Sequence, residues 1–341
     1  MDSLSQIVLG AAIGQVVLGK EAGNKALLWG AIAGTIPDLD VIPGQFADTV
    51  TRIEMHRGFS HSLLFAVSAS PVFGWLISKI HKKLNIPWYK WAHLFFGGIV
   101  THFMLDNFTT WGTQVFYPFE YRVAWRSIFV IDPLYTIPFL VFILLVLFGR
   151  DHRFRQRMNY IGLTISSVYL LISVINKNIA SSAFEKALAS QNIKWERYET
   201  FASPFNTIMW IANVETDSGF YTGYYSLLDE DIDIDFTYFP KNHHLITPLL
   251  ENPDFKRLIR LSNYWYRIIP AENGGLLYQD LRFATIEYPP TPESRFAFSY
   301  LIKAIPQTNP GISIERLPFV YGERMETLSR LWKRLQGKKK S

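Results

Sequence analysis

Pro37-Asp38-Leu39-Asp40, His56-Arg57-Gly58-Phe59-Ser60-His61-Ser62 and Thr101-His102-Phe103-Met104-Leu105-Asp106 set carboxylates and imidazoles beside or inside strongly apolar segments. Such groups are costly in an apolar setting unless they are paired or bound to a cation. All are hard oxygen or nitrogen donors. The chain has no cysteine, which excludes disulfides, thiolate ligands and a cysteine nucleophile. The pattern predicts a metal site at a membrane face, with the rest of the chain as its scaffold.

Working outward, the apolar segments come first. The 341 residues are 49% hydrophobic and 16% aromatic, and the first half is much the more apolar. A membrane part followed by a soluble part is the natural division, with the boundary expected at residues 176/177. Residues 4–19 and 26–36 are short and rich in glycine and alanine, so tilted, partly inserted or re-entrant helices are expected there. Gly10, Ala11, Ala12, Gly14, Gly30, Ala31, Ala33 and Gly34 would let helices approach closely. Residues 62–80 and 91–108 are longer candidates, and 131–149 and 160–176 are the clearest. Buried helices of a large soluble protein are the competing reading. Met1-Asp2-Ser3 lacks a basic n-region, so insertion is expected to use retained helices.

The net charge of +5 is clustered. Lys20, Lys25, Lys79, Lys82, Lys83, Lys90, Arg150, Arg153, Arg155 and Arg157 fall in loops on one side. Arg52, Arg57, Arg122 and Arg126 fall on the other, mixed with acidic residues. The positive-inside rule makes the first set cytoplasmic and puts both motif loops, 37–61 and 107–130, outside together. The basic loops lack aromatic interleaving, so no nucleic-acid partner is expected.

Beyond residue 177 the character changes. Thr207–Val214, Phe220–Leu227, Ile232–Phe239, Leu258–Ile269, Leu276–Glu287 and Phe296–Ile302 read as strands between Pro, Gly and Asn turns. They predict a soluble α+β domain with an antiparallel sheet over residues 177–341, on the extracytoplasmic side. Met325, Leu328, Leu331 and Leu335 make one apolar helical stripe, ending in a basic tail at Lys338-Lys339-Lys340.

Within the motifs, Asp38 and Asp40 are expected to point the same way in an extended turn and reach one ion; an Asx turn with a helix-end cap is the alternative. His56 and His61 flank Gly58, and Arg57 could hold an anion. His102 and Asp106 are i,i+4 on an apolar helix, hence on one face; they could bind metal together or form an interhelical hydrogen-bonding pair. Asp132 is either a member of the site or the cap of a helix starting at Pro133. His93 belongs at the opposite helix end, and His152, His243 and His244 sit in polar contexts. Hard O/N ligation suits Zn²⁺ first, with Mn²⁺ or Mg²⁺ as alternatives, as one or two ions.

These motifs, with Met1-Asp2-Ser3-Leu4 leading into a Gly/Ala helix and with Ile131-Asp132-Pro133, resemble the YdjM-type family over roughly residues 1–176. His-Arg-Gly-x-Ser-His-Ser is the most specific element. Members are described as membrane-bound, metal-dependent hydrolases and as LexA-binding inner-membrane proteins. The resemblance implies a helical enzyme of the bacterial inner membrane whose Asp, His and His-x-x-x-Asp positions bind metal. A fainter likeness to helical zinc-dependent phospholipases C suggests phosphoester substrates. Family members commonly carry His where this chain has Gln6, which offers a carbonyl oxygen instead.

The resulting expectation is a multi-pass membrane hydrolase using a metal-activated water, with Asp38, Asp40, His56, His61, His102 and Asp106 at the metal. Asp132 would act as base or support, and Arg57 would hold an anionic group. The partners would be the lipid bilayer and a lipid or lipid-linked phosphoester, and the oligomeric state is left open. A non-catalytic scaffold and an ion-binding transporter are the alternatives.

Overall fold

Small residues set the packing of the first helices. The computed structural model describes residues 1–271, 274–304, 311–318 and 324–338. Helices α1 (Ser3–Ala22) and α2 (Asn24–Ala33) meet at Gly23, whose φ of +57° suits glycine. A Cβ at Gly10, Gly14 or Gly30 would collide with a backbone carbonyl of the facing helix. Only glycine allows this approach.

The chain splits into two compact units: residues 1–46, 54–175 and 204–206, and residues 47–53, 176–203 and 207–341. The first is helical. After α2 come a 3-10 turn (Ile36–Asp40), α3 (Val41–Gly44), α4 (Thr49–Met55), a 3-10 turn (Phe59–His61), α5 (Leu63–Ile80), α6 (Trp88–Asp106), α7 (Pro133–Phe148) and α8 (His152–Ser190), of which residues 49–53 of α4 and 176–190 of α8 belong to the second unit. Val8, Leu9, Ala12, Tyr135, Phe139 and Val146 form one apolar cluster, and Leu18, Ala26, Trp91, Leu94 and Phe95 another.

By length and composition α1, α5 and α8 could each cross a membrane, and α2 with its continuation Ile36–Gly44, bent by 40°, makes up to four. Two expected spans fall short. The segment α6 carries Lys90, His93, His102 and Asp106, and α7 is apolar but has 16 residues, about 24 Å of helix. The span expected at 160–176 lies inside α8, which is 39 residues long.

The second unit holds two four-stranded antiparallel sheets where one was expected. The first runs β1 (Arg197–Ala202), β2 (Met209–Glu215), β3 (Gly219–Ser226), β4 (Phe236–Pro240). The second runs β5 (Tyr266–Pro270), β6 (Leu276–Thr285), β7 (Phe296–Ala304), β8 (Ile312–Arg316). Phe220, Phe239, Trp265, Leu281 and Phe296 pack together between them. Ala180, Ala183, Phe184 and Leu188 of α8 cover the first sheet, and Phe255, Leu258 and Ile259 of α9 (Pro253–Leu261) cover the second. Leu331 and Leu335 of α10 (Arg324–Leu335) pack with Phe201, Met209 and Ile211. The side chain of Met325 and residues Lys339 and Lys340 lie outside the described residues.

Candidate metal centre

Three chain segments converge on one point. Pro37 lies in a turn that follows α2, since the residue before proline disfavours helix, and this turn presents Asp38. His61 closes the turn before α5, where the Ser62 side chain caps the helix. His102 and Asp106 lie in the last turn of α6. Asp38 Oδ1, His61 Nε2, His102 Nε2 and Asp106 Oδ2 all lie within 4.8 Å of one another. The two Nε2 atoms are 3.0 Å apart. Asp38 Oδ1 is 3.3 Å from His61 Nε2 and 3.5 Å from His102 Nε2. Asp106 Oδ2 is 3.4 Å and 3.7 Å from the same atoms. Ligands 2.0–2.1 Å from a tetrahedral Zn²⁺ stand about 3.3–3.4 Å from each other. The spacing fits.

The proton positions follow from the hydrogen bonds. His102 Nδ1 faces the Gly34 carbonyl at 2.6 Å, which only accepts, so Nδ1 carries the proton and Nε2 a lone pair. His61 Nδ1 lies 2.9 Å from Ser60 Oγ, which in turn donates to Asp40 Oδ2 at 3.1 Å. That chain makes His61 Nε2 a lone pair as well. With a proton on Nδ1 of both rings, two imidazole lone pairs and two carboxylate oxygens face one another, and Asp106 Oδ2 is buried without a hydrogen-bond partner. Burial disfavours a charged His61, but the Asp106 and Asp38 carboxylates outweigh it and favour a second proton on the ring, the proton that a bound cation would replace. The donor set fits a divalent ion.

The other expected residues lie around this cluster. The Ile36–Asp40 turn is a 3-10 helix, where residues two apart diverge, so Asp38 and Asp40 do not share a direction as an extended turn would give. Asp40 accepts from Arg57 N at 2.9 Å and pairs with His56 Nδ1 at 3.1 Å. His56 keeps 34% of its side chain exposed and stands against Trp111. Arg57 is buried, with φ +59°. Its Nη1 donates to Thr109 Oγ1 at 2.8 Å and its Nε approaches Asp106 Oδ2 to 3.0 Å. Asp132 caps α7, accepting from Leu134 N at 3.0 Å and from Tyr169 OH at 2.9 Å; it is not among the four converging groups. His93 and His152 are exposed, whereas His243 is half-buried and stacks on Tyr266.

Four contributors lie outside the residues read as ligands. Ser60 relays His61 to Asp40, the Gly34 carbonyl orients His102, and Gln6 Nε2 donates to Asp106 Oδ1 at 2.9 Å. The Met1 ammonium bonds the same oxygen. Gln6 Oε1 is buried with no hydrogen-bond partner. Only the departure at Gln6 hinted at that position.

A family model described as "YdjM inner membrane protein" matches residues 1–180, the family that the motifs resemble. "Uncharacterized protein YfhP" of Bacillus subtilis (strain 168) is 26% identical over 181 residues, covering 50% of this chain and 51% of that one. The chain thus spans about half the length of that curated relative. No solved structure matches. The aspartates and histidines converging at the ends of α2, α5 and α6 lie wholly within the matched region, and the chain belongs to the YdjM inner membrane protein family.

Proposed function

We propose that this protein is a membrane-bound, metal-dependent hydrolase, acting on a lipid or lipid-linked phosphoester. The observation that carries the reading is the convergence of two carboxylate oxygens and two imidazole nitrogens on one point. Asp38, His61, His102 and Asp106 would hold the ion, and Zn²⁺ suits them best. A bound divalent ion would supply Lewis acidity and bring the pKa of water toward neutrality.

The chain's own residues have separable tasks. Gly34 and the Ser60–Asp40 relay fix the two imidazoles with Nε2 inward. Arg57 and Gln6 hold the Asp106 carboxylate. His56 is anchored through Nδ1 by Asp40 while its ring remains partly open to solvent. It is thereby placed to pass a proton to a leaving oxygen as water adds across the ester bond. Its role moves from metal ligand to acid–base partner.

An ion-transport path is less well supported. The nearest polar groups along α1 are Gln6 and Gln15, and buried Val8, Leu9, Ala11 and Ala12 fill the helix between them. The decisive test is elemental analysis of detergent-purified wild type and of His61→Ala/His102→Ala. About one equivalent of transition metal per chain, lost in the double variant, is the expected result. No metal in either protein would leave the non-catalytic scaffold as the reading.

A further inference from the structure

The loop of residues 107–132 is built inside out for a segment facing water. Several of its rings are exposed: Phe116 is 55% exposed, Phe119 72%, Tyr121 71% and Trp125 50%. Its cations turn inward. Arg122 donates from both guanidinium nitrogens to the His56 carbonyl at 3.1 Å and also reaches the Glu54 carbonyl, while Arg126 bonds the Ala124 carbonyl. Exposed apolar patches of this kind mark a surface that meets something apolar.

What it meets follows from the neighbours at each end. Tyr117 packs on Phe59, and Phe59 on Phe65 of α5. That helix is apolar enough to cross a membrane and leaves Leu64 and Val67 exposed. At the other end, Val130 and Ile131 lead into α7, whose Leu134 and Ile137 are also exposed. The aromatic loop continues the apolar surfaces of both helices. Aromatic residues at the end of a spanning helix seat at headgroup level, where the ring is buried and the polar edge stays wet.

We propose that Phe116, Tyr117, Phe119, Tyr121 and Trp125 lie in the bilayer interface, so that this loop is a membrane-embedded rim of the candidate metal centre. The loop begins one residue after Asp106 and is tied to the centre at its root. Thr109 Oγ1 donates to the Asp106 carbonyl at 2.7 Å while accepting from Arg57, and Trp125 N donates to the Asn107 carbonyl at 2.5 Å. An anchored rim holds the four ligands at the depth of the lipid headgroups. A substrate with an apolar tail could then present its headgroup from within the bilayer. The substrate statement rests on the hydrolase reading; the position of the loop does not.

The absence of native cysteine makes the test direct. Phe119→Cys and Tyr121→Cys are both surface positions, so labelling either disturbs no packing. Each full-length variant is labelled with an environment-sensitive fluorophore and reconstituted in phosphatidylethanolamine/phosphatidylglycerol vesicles. Some vesicles carry lipid with a nitroxide high on its acyl chain. Leu64→Cys serves as the lipid-facing reference and Asp217→Cys as the water-facing one. The expected result is strong nitroxide quenching at both loop positions, with iodide quenching several-fold weaker than at Asp217→Cys. Iodide quenching equal to that of Asp217→Cys, without nitroxide quenching, would overturn the proposal. So would protection from both quenchers together with oxidative cross-linking of the loop cysteines, which would make a second copy the occupant. Metal loading enters neither readout, so failure here and failure of the hydrolase reading are distinguishable.

Discussion

Asp38 and Asp40 are the same residue type two positions apart, and the turn between them gives them different work. Side-chain type and spacing made Asp38, His61, His102 and Asp106 legible as a cluster, because buried carboxylates and imidazoles in apolar helices demand a cation or a partner. The assignments within the set were not legible. A 3-10 turn rotates Asp40 away from Asp38, and a left-handed Arg57 separates His56 from His61. Neither backbone detail is written in the residue types. Asp40 meets the centre through His61 and Ser60, not as one of the four converging groups, so Asp40→Asn should weaken metal binding by about 10–100-fold without abolishing it. Competition against a chromogenic chelator reads this directly. Loss as complete as in His61→Ala/His102→Ala would make Asp40 a ligand.

Among the elements, the helices were read well where proline, glycine and apolar runs mark their ends, and poorly where pattern alone had to decide. Leu258–Ile269 reads as one strand-like run, yet Leu258–Leu261 finish α9 and the strand β5 starts at Tyr266. The helix is set by Asn252, which caps it through Asp254 N and Phe255 N, and by Pro253 at its first position. Asp132 is a similar case of a cap with a second candidate role. Asp132→Ala should lower stability by about 1 kcal/mol, seen as a lower thermal midpoint, with metal content unchanged. Lost hydrolysis at an unchanged midpoint would restore it as a base.

The attachment of α10 makes a pH-dependent element. Asp229 takes both Arg334 nitrogens at 2.6 Å and Lys338 N at 2.7 Å. Burial pushes its carboxyl up, but Arg334 and the backbone donors outweigh this and hold it below the ordinary 3.8. A carboxylate depressed in the folded state stabilises above its unfolded pKa and loses that contribution as pH falls through the folded value. Stability of the sheet-bearing unit should therefore be flat near neutrality and fall below about pH 4. Asp229→Asn should cost on the order of 3 kcal/mol at neutral pH and flatten the acid limb. Denaturant titrations at pH 7 and pH 3 would show it; equal losses at both would refute the pairing.

At the scale of the whole molecule, helix direction and charge agree. In the helical unit, Gln6 near the start of α1 bonds Asp106 at the end of α6. Gly34 just after α2 bonds His102, and His61 just before α5 meets Asp38. Ser5 of α1 also bonds Thr136 in the first turn of α7. At the opposite end Gln15 bonds Arg155, and Asn24 bonds the Leu147 carbonyl. The helices therefore alternate in direction. Lys20, Lys25, Lys79, Lys82, Lys83 and Lys90 lie at the helix ends away from the four ligands, where cytoplasmic retention of positive charge would place them. That predicts an extracytoplasmic centre, and since α8 runs back from the basic end, an extracytoplasmic sheet-bearing unit. Single cysteines at Lys83 and Asp217, both exposed, separate the cases. An impermeant maleimide applied to spheroplasts should label Asp217→Cys at once and Lys83→Cys only after permeabilisation. The reverse pattern would invert the protein and put its chemistry on the cytoplasmic face, and labelling of both in sealed spheroplasts would sink the alternation on which this topology depends.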